Sequence, residues 1–184
     1  MVIGVANSVF LDTNILVYAN VSESPFHQTA LQAIENLYDS GIELWISRQV
    51  LREFLMTLSR PQALMNPRPV AIIIERTRFF QAQFRVADET AQVTERLLSL
   101  MEQITIGGKQ VHDANIVATM LVYGIPQLLT HNTSDFARFS GLITVLPLHC
   151  FSIKNKSNTI ITDTDAISIF ITLKFFGVSN FFKG

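Results

Sequence analysis

The sequence predicts an α/β domain built on a central parallel sheet with helices over both faces. Three observations carry this expectation. Short apolar runs at residues 8–12, 43–47, 84–88, 127–130 and 142–146 alternate with stretches of helical periodicity. The chain has 184 residues, 48% of them apolar, which suits one domain with a substantial core. Carboxylates stand where strands end or near where helices begin, and in an open parallel sheet those places gather at one edge.

The first run, residues 8–12, reads as a buried strand that ends in Asp12. A short helix follows from Asn14. Beyond Pro25 lies a longer one with Ala30, Leu31, Ile34 and Leu37 on one face, stopped by Gly41. Residues 43–47 read as the second strand, and Ser47 is placed to cap the next helix. That helix carries an apolar stripe of Val50, Leu51, Phe54, Leu55 and Leu58, with Glu53 off its centre on the side of Gln49 and Arg60. Pro61, Pro67 and Pro69 mark a loop. A helix over 69–84 presents Arg76, Arg78 and Arg85 as exposed candidates, and a short strand is predicted at 84–88. The window 89–104 is helical, with Val93, Leu97, Leu100, Met101 and Ile104 expected inside. Gly107 and Gly108 make a turn. A helix over 111–123 ends at Gly124, which suits a left-handed C-terminal residue. Residues 127–130 are a strand, 134–139 one helical turn, and 142–146 a last strand closed by Pro147.

The expected domain occupies residues 1–148. After Leu148 the composition changes, and residues 149–184 form an atypical tail rich in Ile, Thr, Phe, Asn and Ser. Its apolar part, 166–178, is interrupted by Lys174 and is too short to span a membrane. Its β propensity and low charge make it prone to aggregate when exposed.

Charge and cysteine content exclude several classes. Lys and Arg number 14 against 15 Asp and Glu, so bulk positive charge does not hold this chain on nucleic acid. The single Cys150 excludes an internal disulfide framework and a cysteine-based zinc site. The sequence has no basic start followed by an apolar stretch and a cleavage site, so a cytoplasmic location is expected.

Four acids carry the chemistry: Asp12 in Phe10-Leu11-Asp12-Thr13-Asn14, Glu53 in Val50-Leu51-Arg52-Glu53-Phe54-Leu55, Asp113 in Val111-His112-Asp113-Ala114, and Asp135 in Thr130-His131-Asn132-Thr133-Ser134-Asp135-Phe136. Singly, each has an ordinary explanation. Asp12 and Asp135 suit turns or caps, Glu53 suits a solvated helix face, and Asp113 suits the positive end of a helix dipole. Together, four carboxylates repel one another and call for a cation. Hard divalent cations take oxygen ligands and keep waters for substrate phosphates, so the set points to metal-dependent phosphodiester chemistry.

In their order along the chain these motifs resemble the PIN-domain family of metal-dependent ribonucleases, with the VapC-type toxins of bacterial toxin–antitoxin pairs as the nearest likeness. The matching pieces include Phe10-Leu11-Asp12-Thr13-Asn14, Ser47-Arg48-Gln49-Val50-Leu51-Arg52-Glu53-Phe54, His112-Asp113-Ala114-Asn115-Ile116-Val117-Ala118 and Leu129-Thr130-His131-Asn132-Thr133-Ser134-Asp135-Phe136. The likeness spans about residues 9–148, and the tail has no counterpart in it. The resemblance implies a PIN-like sheet, and Mg2+ or Mn2+ held by Asp12, Asp113 and Asp135 with Glu53 in the same pocket. It implies Thr13, Asn14 and Thr130 as supporting groups, an RNA substrate, and an antitoxin that silences the site with a peptide.

Positive charge near the pocket is sought at Lys109, Arg48, Arg52, Arg60 and Arg138, with Lys109 first because it lies in the glycine turn before Asp113. A homodimer is expected, using the apolar faces at 31–37 or 51–58 unless the core takes them. Two other readings stand beside the ribonuclease: a non-catalytic RNA- or protein-binding domain of the same fold, and a small-molecule phosphatase. The phosphatase reading lacks a second strand-end Asp, because Asn14 stands there.

Overall fold

The structure is a computed structural model and describes residues 7–60 and 69–151. The proline loop and nearly all of the tail therefore lie outside the described residues. All described residues belong to one unit, Met1–Ser152.

Five strands, β1 (Ser8–Leu11), β2 (Glu43–Ser47), β3 (Arg85–Ala87), β4 (Gln127–Thr130) and β5 (Thr144–Pro147), form one sheet in the order β3-β2-β1-β4-β5. Every neighbouring pair is parallel. Parallel strands need crossover connections, and helices supply them. The chain steps outward from β1 to β2 to β3, then returns to pair β4 with the other side of β1. The strand order therefore reverses between β1 and β4. In open α/β sheets, ligands bind outside the carboxyl ends of the strands at such a reversal.

The helices fall into two packed groups. On one face α1 (Thr13–Asn20) packs on α2 (His27–Asp39) and α3 (Arg48–Ser59), and α3 on α4 (Val70–Gln83). The right-handed crossover rule puts α5 (Ala91–Gln103) and α6 (Gln110–Tyr123), which pack on each other, on the opposite face. Burial follows from this layering. β1 is buried along its length, and α6 buries Ala114 and Ile116 through Met120, as an apolar helix between a sheet and another helix must. The stripes proposed for a dimer face go into the core instead: Leu51 and Leu58 are buried, and Leu31 and Leu37 pack against the cluster.

The helix boundaries follow local chemistry. Ser47 Oγ accepts a hydrogen bond from the Val50 N–H at 3.3 Å, so the residue that ends β2 also starts the helix bearing Glu53. Ser47→Ala is expected to cost about 1 kcal/mol. Urea unfolding should show a lower midpoint with an unchanged slope. Gly124 ends α6 with φ +69° and returns its N–H to the Met120 carbonyl, as expected.

Three expectations are corrected. Met101 is 38% exposed, because α5 turns Val93 and Leu100 inward and leaves Met101 on the rim beside exposed Leu98. β5 starts at Thr144, two residues late, after residues 140–143 turn through hydrogen bonds to Phe139 and Ala137. Pro147 lies inside β5, opposite Thr130, which is tolerated because β5 is an edge strand. The chain then enters a 3-10 turn, Leu148–Phe151, that packs on α2 with Leu148 buried.

Candidate active site

The end of β1 meets the end of β4 at the strand-order reversal. Asp12 follows Leu11 and is 8% exposed, with its N–H on the Leu129 carbonyl at 3.1 Å. Its Oδ2 accepts hydrogen bonds from Thr130 Oγ1 and Asn14 Nδ2, both at 2.6 Å. Asn14 Nδ2 also reaches Thr130 Oγ1 at 3.1 Å, and Asn14 Oδ1 accepts the His131 N–H at 3.1 Å. Thr130 Oγ1 in turn accepts the Asn132 N–H at 3.0 Å. Asp12, Asn14 and Thr130 thus form one closed network across the two central strands.

A second bracket joins α3 to α1 and α6. Thr13 Oγ1 donates to Glu53 Oε2 at 2.7 Å, and Gln49 Nε2 donates to Glu53 Oε1 at 2.8 Å. Gln49 is 4% exposed. It donates again to the His112 carbonyl at 3.0 Å and accepts from Asn115 Nδ2 at 2.7 Å. Both carboxylate oxygens of Glu53 are held, and the first turn of α6, with Asp113, is tied to α3. Sequence reading placed Gln49 beside Glu53 but gave neither Gln49 nor Asn115 a part. Gln49 lies one turn before Glu53, and that spacing was the available signal.

Electrostatics joins the two brackets. Burial pushes the Asp12 carboxyl up from an ordinary 3.8 to about 6. Hydrogen bonds from Thr130 and the Thr13 backbone oppose the rise, and the charges of Glu53 and Asp113 add to it. Asp113 also rises to about 6, first from burial, then from the charges of Asp135 and Glu53, with His112 and Arg138 pulling it down. Each of the four acids therefore acts on another of the set, although they come from four different segments of chain. Among the described residues, no three His, Cys, Asp or Glu side chains are already gathered tightly enough to hold a metal ion. Asp12 and Glu53 are held, Asp113 is half-buried and Asp135 is exposed.

The basic candidates divide. Arg48 pairs with Asp88 at 2.8 Å and Arg52 with Glu89 at 2.7 Å, both on the surface. Arg138 Nη1 donates to Gln110 Oε1 at 2.7 Å and to the Thr105 carbonyl at 3.2 Å, close enough to the site to act on Asp113. Lys109 is exposed just before α6. Beside the site, Tyr18, Phe26 and His131 cluster, with ring centroids 4.1–5.5 Å apart. Burial and the Asp12 charge hold the Tyr18 phenol above its ordinary value.

Comparison with known proteins agrees with this fold. The chain is 25% identical over 133 residues to Ribonuclease VapC48 of Mycobacterium tuberculosis, covering 71% of this chain and 91% of that protein. Among solved structures, VapBC2 from Rickettsia felis bound to a promoter DNA fragment shares the fold with a TM-score of 0.57 at 19% identity, covering 76% of this chain and 98% of that one. A toxin–antitoxin complex from Klebsiella pneumoniae does so with a TM-score of 0.54 at 24% identity, covering 76% and 97%. The family model of the PIN domain matches residues 9–142, a span that contains all four acids, and the chain belongs to that family.

Proposed function

We propose that this protein is a metal-dependent endoribonuclease, the toxin of a bacterial toxin–antitoxin pair, with Asp12, Glu53, Asp113 and Asp135 as its catalytic acids. The observation that supports the reading is the electrostatic coupling of these carboxylates beside the β1–β4 reversal: Glu53 and Asp113 act on Asp12, Asp135 and Glu53 act on Asp113, and Asp12 and Asp113 are both pushed up to about 6. So much negative charge around one cleft favours a hard divalent cation, Mg2+ or Mn2+, and the oxygen-only donors fit one. Asp12, Asp113 and Asp135 would hold it, the last two swinging in from half-buried and exposed positions. When bound, such a cation supplies an activated water and stabilises charge on phosphate oxygens.

The chain's own residues do the rest. Thr130 and Asn14 fix the Asp12 carboxylate by binding one of its oxygens. Thr13 and Gln49 hold Glu53 in one orientation, suited to accept a proton from an attacking water. Arg138 and Lys109 would meet the RNA backbone, and Arg48 and Arg52 would do so only by giving up Asp88 and Glu89. The relative VapC48 is named a ribonuclease, and the Klebsiella neighbour is a toxin–antitoxin complex. Both support the reading of RNA as substrate and of a cognate antitoxin as partner. A homodimer belongs to the same proposal and would use exposed apolar residues such as Val70 and Ile74 on α4. Among the described residues no helix is long and apolar enough to cross a membrane.

Purified full-length protein is expected to cut single-stranded RNA internally with Mg2+ or Mn2+ and to stop on chelation. RNA binding without cleavage under either metal would favour the non-catalytic alternative.

A further inference from the structure

We infer that Tyr18, Phe26 and His131 form a stacking site for a nucleobase adjacent to the scissile phosphate. The inference rests on the ribonuclease reading and adds how that substrate is gripped. The rings are mutually packed: Phe26 and His131 centroids lie 4.1 Å apart, Tyr18 and Phe26 5.0 Å, and Tyr18 and His131 5.5 Å. All three are only partly buried, so the cluster keeps aromatic surface toward solvent.

The cluster is tied to the catalytic network by position. His131 follows Thr130, and its N–H is held by Asn14, whose amide nitrogen holds Asp12. Tyr18 lies four residues after Asn14 on α1, on the same face of the helix. Phe26 is fixed from both sides, by its N–H on Ser24 Oγ at 3.2 Å and by His27 Nδ1 against the Tyr18 carbonyl at 2.9 Å. Such a platform is preorganised, so little ordering cost accompanies binding.

Charge explains why stacking is needed. The site concentrates carboxylates that repel phosphates, and the net charge of −1 supplies no general attraction. Arg48 and Arg52 are paired with Asp88 and Glu89. Aromatic rings hold a splayed-out base through stacking and add no negative charge to the site, as single-stranded RNA readers do.

The test places 2-aminopurine at successive positions of a single-stranded oligoribonucleotide and adds full-length Asp113→Asn protein, in which cleavage is expected to be absent. Fluorescence quenching is expected at one position, and it should disappear in Phe26→Leu and in His131→Leu while His131→Phe retains it. In the otherwise wild-type chain, Phe26→Leu should raise KM about tenfold with a smaller change in kcat, and an abasic nucleotide at the quenched position should give wild type the same loss. That abasic substrate should cost the variant nothing further. Absence of position-specific quenching, or quenching unchanged in both leucine variants, overturns the proposal. Failure of the wild-type chain to cut any RNA would instead remove the ribonuclease reading, and the quenching result would still decide whether a base stacks here. Because His131 lies at the end of a strand and Phe26 in a loop before α2, misfolding of one variant leaves the other informative.

Discussion

Asp12→Asn is expected to abolish RNA cleavage and, in the same protein, to raise the melting temperature of the metal-free state at pH 7. The loss of activity follows from position. Asp12 is the one acid of the four that is buried, at the junction of the two central strands, with a carboxylate oxygen clamped by Thr130 and Asn14. Loss of an outer hydrogen-bond partner of a metal ligand already costs about 10–100-fold, so loss of the ligand's charge is expected to exceed about a hundredfold. The gain in stability follows from charge. Raising a buried carboxyl from 3.8 to about 6 means that its ionised form burdens the fold by about 3 kcal/mol at pH 7. An asparagine oxygen can still accept from Thr130 and Asn14, while the charge is gone.

The expected rise in melting temperature is several degrees, since about 1 kcal/mol moves a domain of this size by about 2–4 °C. Calorimetry with chelator present and an RNA cleavage assay with Mn2+ read the two effects separately. Unchanged cleavage would remove Asp12 from the chemistry. A melting temperature lowered by several degrees would show that the hydrogen-bond network, and not the charge, dominates at this position. The paired outcome separates a functional acid from a structural cap: a cap lost to substitution destabilises, whereas a carboxylate kept for chemistry is a burden the fold is relieved to lose.

Much of this site was legible without coordinates, because its parts sit at element boundaries with their own local signals. Asp12 ends an apolar run, Ser47 precedes a helical stripe, Gly124 stops a helix, and the alternation of runs and helices implies a parallel sheet. The parts that were hidden are pairings between distant segments. Gln49 and Asn115 are 66 positions apart, and nothing in either local pattern says that α3 and α6 meet. The same holds for the aromatic trio, in which His131 comes from beyond β4 and its partners from α1 and the loop after it. Arg48 and Arg52 read as free cations because their partners, Asp88 and Glu89, lie 40 and 37 positions away in sequence, respectively. Met101 misled for a different reason. Periodicity marks which way a helix faces, but a helix packed on one side leaves residues at the margin of its stripe outside.

The affinity for Mn2+ is expected to fall about a hundredfold between pH 7 and pH 5. Asp12 and Asp113 both titrate near 6, so each passes from mostly ionised to mostly protonated across this interval. An ion must displace those protons, and each group then weakens binding by about tenfold. Asp113→Asn should bind more weakly at every pH and should keep only the tenfold dependence that Asp12 supplies. Titration calorimetry in buffers of different ionisation enthalpy should register proton release that grows as pH falls, from about 0.2 proton per ion at pH 7 to about one at pH 6 and nearly two at pH 5. Stability of the metal-free protein should run in the opposite direction. Both acids hold protons more tightly in the fold than in the unfolded chain, so the folded state binds more protons between about pH 4 and pH 6. The contribution of these two groups is therefore most favourable below pH 4 and is lost as pH rises through 6. Asp113 contributes less than Asp12 because water screens its half-exposed carboxylate. Saturating Mn2+ should abolish this slope above about pH 5, since the ion binds only the ionised pair and the unfolded carboxyls are ionised there too. A pH-independent Mn2+ affinity would mean that these two carboxylates are not the ligands, and the metal site would then have to be sought elsewhere in the cleft.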